Sequence, residues 1–149
     1  MINHKSEILN SKQNPKSQIP NPKRYDLEER CLKFAQRVRN YVKKLPRTIS
    51  NIEYGRQLIK ASGSVGANYI EANESLSKKD FKMRIKISKK EAKESRYWLI
   101  LTEPFKENQK EKDELIDEVT ELMKIFGSIA EGKKKIMFVI WNIRICNFV

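Results

Sequence analysis

Ala61-Ser62-Gly63-Ser64-Val65-Gly66-Ala67-Asn68-Tyr69-Ile70-Glu71-Ala72 is the stretch on which the fold turns. Six of its first seven residues are small, and only Val65 interrupts them. Glycines at this density ordinarily mark a loop, and a glycine-rich phosphate loop is the sharper reading. No Lys-Ser/Thr pair follows, as a nucleotide loop requires. The flanks, residues 56–60 and 68–72, keep a helical pattern. Two internal glycines cost a helix about 1 kcal/mol each relative to alanine, which a chain tolerates where helix backbones approach closely. The stretch therefore reads as a close-packing centre inside a helix. Gly63 and Gly66 lie three apart and share one side of it.

Working outward, helical periodicity accounts for most of the chain. Asp26 and Glu29 make a capping-box-like start, and Leu27, Cys31, Phe34, Ala35, Val38, Val42 and Leu45 recur at helical spacing until Pro46. Ser50-Asn51-Ile52-Glu53 is a capping box for a second helix running to about Asn73. Leu58, Ala61, Val65, Tyr69 and Ala72 form its buried side. Ile59, Ser62, Gly63, Gly66 and Ile70 form a narrow neighbouring face able to receive another helix. Ser77 with Asp80 opens a third helix to about Leu101, and Pro104 closes the break after it. Asn108-Gln109-Lys110-Glu111 leads into Leu115, Val119, Leu122, Met123, Phe126, Ile129 and Ala130, and Gly132 supplies a C-terminal stop. No strand alternation occurs between 26 and 132. Short links force neighbours to run antiparallel, so residues 25–132 are expected to form an all-α, up-down-up-down antiparallel four-helix bundle.

The two ends differ from this core. Residues 1–24 carry Pro15, Pro20 and Pro22, with five basic residues and one acid, and read as a disordered basic arm. They are polar throughout and lack the apolar segment of a secretory signal. Residues 133–149 begin Lys133-Lys134-Lys135-Ile136-Met137-Phe138-Val139-Ile140-Trp141. This extension is too short and interrupted to span a bilayer, so no integral membrane association is expected. It suits a membrane-surface contact, or a strand-like or helical extension packing on the bundle or a neighbouring subunit.

Composition narrows the function. The formal net charge is +12, with 34% charged residues in 149, which favours polyanionic partners. Two cysteines, Cys31 and Cys146, are no disulfide framework and suit a reducing compartment. The single histidine is His4, in the arm. A histidine general base, a catalytic triad and a histidine-containing zinc site are therefore disfavoured, as is the Glu-x-x-His di-iron motif of helical bundles. No enzyme, metal or cofactor is expected.

The third helix carries the functional signal. At about 100° per residue, Lys78, Lys79, Lys82, Lys86, Lys89, Lys90, Lys93 and Arg96 fall within an arc of roughly 120°. Phe81, Ile85, Ser88, Ala92 and Leu99 make an apolar stripe on one side; Met83, Ile87, Trp98 and Leu101 make a second on the other. A helix in a monomeric bundle needs one stripe, so the second implies a further partner, most simply another copy of the chain. Arg84, Glu91 and Glu94 lie between the stripes and, with Asn68, Glu71 and Arg96, are expected to form a structural polar cluster. A catalytic carboxylate set from Glu71, Glu91 and Glu94 is the alternative. Residues 78–96 hold nine basic residues and three acids, a net of +6, whereas residues 107–121 hold two basic residues and seven acids, a net of −5. Such a molecule can mate basic to acidic face between subunits, or leave the basic face for phosphates. The candidate nucleic-acid contacts are Lys78, Lys79, Lys82, Lys86, Lys89, Lys90 and Lys93, with Arg37, Arg39, Lys43 and Lys44 as weaker contributors. Lysines without interleaved aromatics suit backbone contact better than base reading. A merely solvated face and an acidic protein partner are the competing readings.

Val65-Gly66-Ala67-Asn68-Tyr69-Ile70-Glu71-Ala72, Asp80-Phe81 and Lys90-Glu91-Ala92-Lys93-Glu94-Ser95-Arg96-Tyr97-Trp98-Leu99 resemble the four-helix-bundle proteins encoded in intervening sequences of bacterial 23S rRNA genes. The resemblance covers roughly residues 25–129. Asn68 and Glu71 match that family's Asn-x-x-Glu, and Glu91, Glu94 and Trp98 its Glu-x-x-Glu-x-x-x-Trp, with no catalytic role attached. The resemblance implies a bacterial cytoplasmic protein assembling as a ring-like homopentamer. The family is in turn similar to the accessory protein of diversity-generating retroelements, a basic pentameric bundle that associates with a reverse transcriptase and nucleic acid. The arm and the extension have no counterpart in it.

Overall fold

Leu27, Cys31, Phe34, Val38 and Tyr41 recur every three or four residues, so a helix over them gathers all five on one face. In the computed structural model, which describes residues 27–132, that helix is α1, Leu27–Val42, and all five are buried. Three further helices follow: α2, Ile49–Asn73; α3, Lys78–Leu101; and α4, Gln109–Ala130, entered through a short 3-10 turn over Lys106–Asn108. Among the described residues there is no strand. The helices form a bundle in which α1 packs on α2, α2 on α3, α3 on α4 and α4 on α1. Its core joins Phe34, Val38 and Tyr41 to Leu58, Val65, Ile85, Leu99, Leu115, Leu122 and Phe126. The arm over 1–24, the cap at Asp26 and the extension over 133–149 lie outside the described residues.

The helix ends test the local reading. Ser77 caps α3 as expected, its hydroxyl accepting from the Asp80 amide at 3.1 Å. Gly132 stops α4 at φ 72°, a left-handed conformation that glycine adopts without penalty. The cap of α2 falls two residues before the expected Ser50. Thr48 is extended and its hydroxyl accepts from the Asn51 amide at 3.2 Å. Asn51 is thereby released for another task. Its side-chain amide donates to the Pro46 carbonyl (3.0 Å) and the Glu103 carbonyl (2.9 Å), and its oxygen accepts from the Glu103 amide (2.9 Å). One buried asparagine thus ties the α1–α2 connection to the α3–α4 connection. Asn108 precedes α4 without a side-chain cap bond, because the chain already turns there.

Close helix contact is real, but only half of it falls where the sequence placed it. A Cβ on Gly66 would meet the Cys31 Cβ at 3.2 Å, so α1 closes on α2 there. A Cβ on Gly55 would meet Val42 Cγ1 at 2.9 Å, a second tight point further along the same pair. Gly63 differs: nothing among the described residues lies within 4 Å of its Cβ position, and it is exposed. It shares a side with Gly66, yet the extra 60° of helical rotation carries it past α1.

Near Asn51, Tyr41 and Thr102 share a buried hydroxyl hydrogen bond of 2.8 Å. Lys112 Nζ donates to the carbonyls of Ile100 (3.0 Å) and Thr102 (2.7 Å), satisfying acceptors that the end of α3 leaves open. Burial holds the Lys112 ammonium below the ordinary lysine value, opposed by the charges of Asp113 and Glu103. Burial also raises the Tyr41 phenol above the ordinary 10.0, against its bond to Thr102 and with help from the carboxylates of Glu111 and Asp113.

Two outcomes follow from these contacts. Gly63→Ala should stabilise by up to about 1 kcal/mol through helix propensity, whereas Gly66→Leu should destabilise by about 1–3 kcal/mol through overpacking against Cys31; urea unfolding measures both. For Tyr41 the folded state holds its proton more tightly than the unfolded chain. Its contribution to stability is therefore complete below pH 10 and declines as pH rises through the folded-state value. Tyr41→Phe should flatten that alkaline decline in pH-dependent thermal melts.

Candidate nucleic-acid interface

α3 is built so that one side must face inward. Ile85, Ser88, Ala92, Ser95 and Leu99 are buried, and Phe81 packs partly against the core. The Ser88 hydroxyl donates to the Val65 carbonyl of α2 at 3.0 Å, a bond between two helices at the small-residue stretch. With this stripe fixed, the lysine arc has one place to go. Lys78, Lys79, Lys82, Lys86, Lys89, Lys90 and Lys93 are all exposed. From Lys78 to Lys93 the row runs about 22 Å along the helix at 1.5 Å per residue. Lys89 lays its stem over α4, with Nζ 3.3 Å from where a Cβ on Gly127 would stand. None of the seven forms an ion pair among the described residues.

Part of the acidic helix is occupied elsewhere. Arg30 Nε meets Glu118 Oε1 at 2.5 Å and its Nη2 meets Oε2 at 3.1 Å, a bidentate pair with Glu118 almost buried. Arg37 pairs with Glu114 at 3.3 Å and Lys44 with Glu111 at 2.9 Å. Two cations of α1 and one from the turn after it therefore take three carboxylates of α4, in a ladder. Arg37 and Lys44, expected as nucleic-acid contacts, are rungs of it. Arg39 and Lys43 are exposed, but α1 packs on α2 and α4, and this places them apart from the α3 row. The ladder had a signal in the sequence. Arg30, Arg37 and Lys44 step by seven, and Glu118, Glu114 and Glu111 step back by four and three along the facing helix.

The expected polar cluster is not one cluster. Glu71 pairs with Arg84 between α2 and α3. Asn68 bonds within its own helix to the Ser64 carbonyl (2.9 Å), and Arg96 reaches α4, donating to Thr120 Oγ1 at 3.3 Å. Glu94 accepts from the Trp98 indole at 3.3 Å, while Glu91 is half-buried with no ion pair among the described residues. Carboxylates dispersed in this way do not converge on a common point. Of the second apolar stripe, Met83 is 50% exposed, and Ile87, Trp98 and Leu101 are half-buried. Among the described residues no helix is long and apolar enough to cross a membrane.

Chemically, the outer side of α3 is a linear array of ammonium groups without an ion pair among the described residues. Such an array attracts polyanions and gains from the counterions they release on binding.

Comparison with known proteins places this architecture among relatives. Residues 23–128 match the family described as 23S rRNA-intervening sequence protein. A solved structure from Bacteroides thetaiotaomicron, a protein with unknown function from the S23 ribosomal protein family, is 28% identical. The match covers 69% of this chain and 96% of that one, with a TM-score of 0.59. No curated protein matches the chain.

The rungs should differ in weight. Removing one partner of a nearly buried pair strands a charge, so Arg30→Met should cost about 3 kcal/mol. Arg37→Ala, at an exposed pair, should cost under about 1 kcal/mol. Chemical denaturation of the two variants checks the ratio.

Proposed function

Because the chain belongs to the 23S rRNA-intervening sequence protein family, we propose a function that needs no catalysis: an oligomeric helical bundle that binds RNA or DNA through phosphate contacts along α3, with little regard for base sequence. One observation carries this reading. Three carboxylates of α4 are engaged by Arg30, Arg37 and Lys44, while seven lysines of α3 are exposed on one arc without an ion pair among the described residues. Like charges along one helix face repel, and a phosphate backbone relieves that repulsion without base-specific groups.

In this proposal the bundle is up-down-up-down and antiparallel. The order of facing residues supports this: Cys31 opposite Gly66 and Val42 opposite Gly55, then Glu71 opposite Arg84 and Tyr54 opposite Trp98. Self-association is supported by apolar surface left on the outside of α1 and α2, where Leu32, Ile59 and Ile70 are exposed beside Gly63. A ring-like homopentamer in the bacterial cytoplasm is the form that the family resemblance implies. The dispersal of Glu71, Glu91 and Glu94 favours structural over catalytic roles for them.

The test is a salt-dependent titration with RNA and DNA beside mass measurement of the free protein. Combined Lys82→Glu, Lys86→Glu, Lys89→Glu and Lys93→Glu should abolish binding while helicity is kept. Neutralising the same four lysines with glutamine should lower the slope of log affinity against log salt by about 3, each phosphate contact contributing roughly 0.7–0.9. Unchanged affinity in the glutamate variant would overturn the proposal. Capture of a single acidic protein after nuclease treatment, with no nucleic-acid binding, would instead favour a protein-docking face.

A further inference from the structure

We propose that Tyr97 is a stacking platform for an unpaired base, which makes single-stranded nucleic acid the preferred partner of the lysine face. This rests on the phosphate-binding reading above and narrows it. Tyr97 lies one helical turn beyond Lys93, about 6 Å further along the axis, and its direction falls within about 40° of Lys86, Lys90 and Lys93. It therefore continues the cationic row rather than standing beside it. The residue is 56% exposed.

The ring is also held. Tyr97 meets Trp98 edge to face, with centroids 5.0 Å apart and planes at 71°. Trp98 is anchored twice, by its indole N–H on Glu94 Oε1 at 3.3 Å and by stacking on Tyr54 of α2 at 6.1 Å and 29°. In an edge-to-face pair the ring that supplies the edge keeps both faces and the other keeps one, so at least one face of Tyr97 is free of Trp98. A rigid helix thus carries a pre-positioned aromatic face at the end of a row of phosphate-binding cations. That combination, a positively charged track ending on an aromatic, is what single strands use, because their bases can turn out and stack. Bases inside a duplex are already stacked and cannot reach a side chain on a convex helix surface. The face of an aromatic ring takes any base, so the preference concerns strandedness and not sequence.

The experiment compares the full chain with Tyr97→Ala and Tyr97→Phe on three probes: a deoxyadenylate dodecamer, an abasic dodecamer with the same phosphates, and a blunt duplex of twelve base pairs. The wild-type protein should bind the base-bearing strand between about five- and a hundredfold more tightly than the abasic strand. Tyr97→Ala should erase that difference and leave abasic and duplex affinity unchanged, whereas Tyr97→Phe should keep it. Equal binding of base-bearing and abasic strands by the wild type overturns this inference alone. Binding of no probe at all overturns the phosphate-binding reading as well. Tyr97→Ala is at an exposed position and should keep its helicity by circular dichroism. Loss of assembly mass in this variant, with the base preference intact, would make Tyr97 a contact between copies and would also overturn the platform.

Discussion

The bidentate pair between Arg30 and Glu118 is the constraint from which the rest of the charge distribution follows. Glu118 is almost buried, and a carboxylate in that position is tolerated only when a cation meets it with good geometry. The pair aligns α1 with α4, and the rungs at Arg37–Glu114 and Lys44–Glu111 continue the same register toward the other end. Such pairs add little net stability at the surface. Their larger effect is on specificity: a different helix beside α4 would leave Glu118 without its partner. Three carboxylates of the acidic helix are thereby taken up from the α1 side, and among the described residues no ion pair joins that helix to α3.

The remaining contacts hold α3 in a single orientation. On one side Ser88 bonds to α2 at Val65, and Glu71 meets Arg84. On the other, Arg96 reaches Thr120, and Lys89 lies over Gly127. At its C-terminal end, Lys112 and Tyr41 satisfy the polar groups around Thr102, while Asn51 ties the neighbouring connections together. A helix gripped on both flanks and at one end has no freedom to roll. The proposed binding face is therefore a fixed surface, displayed because the flanking stripe through Ile85, Ser88, Ala92 and Leu99 is buried in the core.

Some of this was legible residue by residue. The four helices, the Ser77 cap, the Gly132 stop and the core stripes through Leu58, Ile85 and Leu122 could be read from spacing, since a helix brings together residues three and four apart whatever surrounds it. The lysine arc was legible for the same reason, being a property of phase within one helix. The cap at Thr48 was not, because Ser50 offered an equally good local pattern and the choice fell to the path of the chain after Pro46 and the work demanded of Asn51. Of the tight points, Gly66 was legible and Gly55 was not. Gly55 and Gly66 meet α1 and Gly63 meets nothing among the described residues, a distinction that depends on where the partner helix lies.

By itself, the sequence determined four helices over residues 27–132, with a small-residue waist in the second and a cationic arc on the third, because these follow from intervals along one helix. Which charges stay unpaired was decided only by tertiary structure. Arg37 and Lys44 look as available as Lys82 or Lys86 until α4 is set beside α1. Glu71, Glu91 and Glu94 look like one cluster until Arg84 is placed beside Glu71 and Trp98 beside Glu94. Pairing is a relation between helices, fixed by which faces the shared core turns toward each other; the seven-residue step of Arg30, Arg37 and Lys44 marks a row of cations but not the helix that answers it.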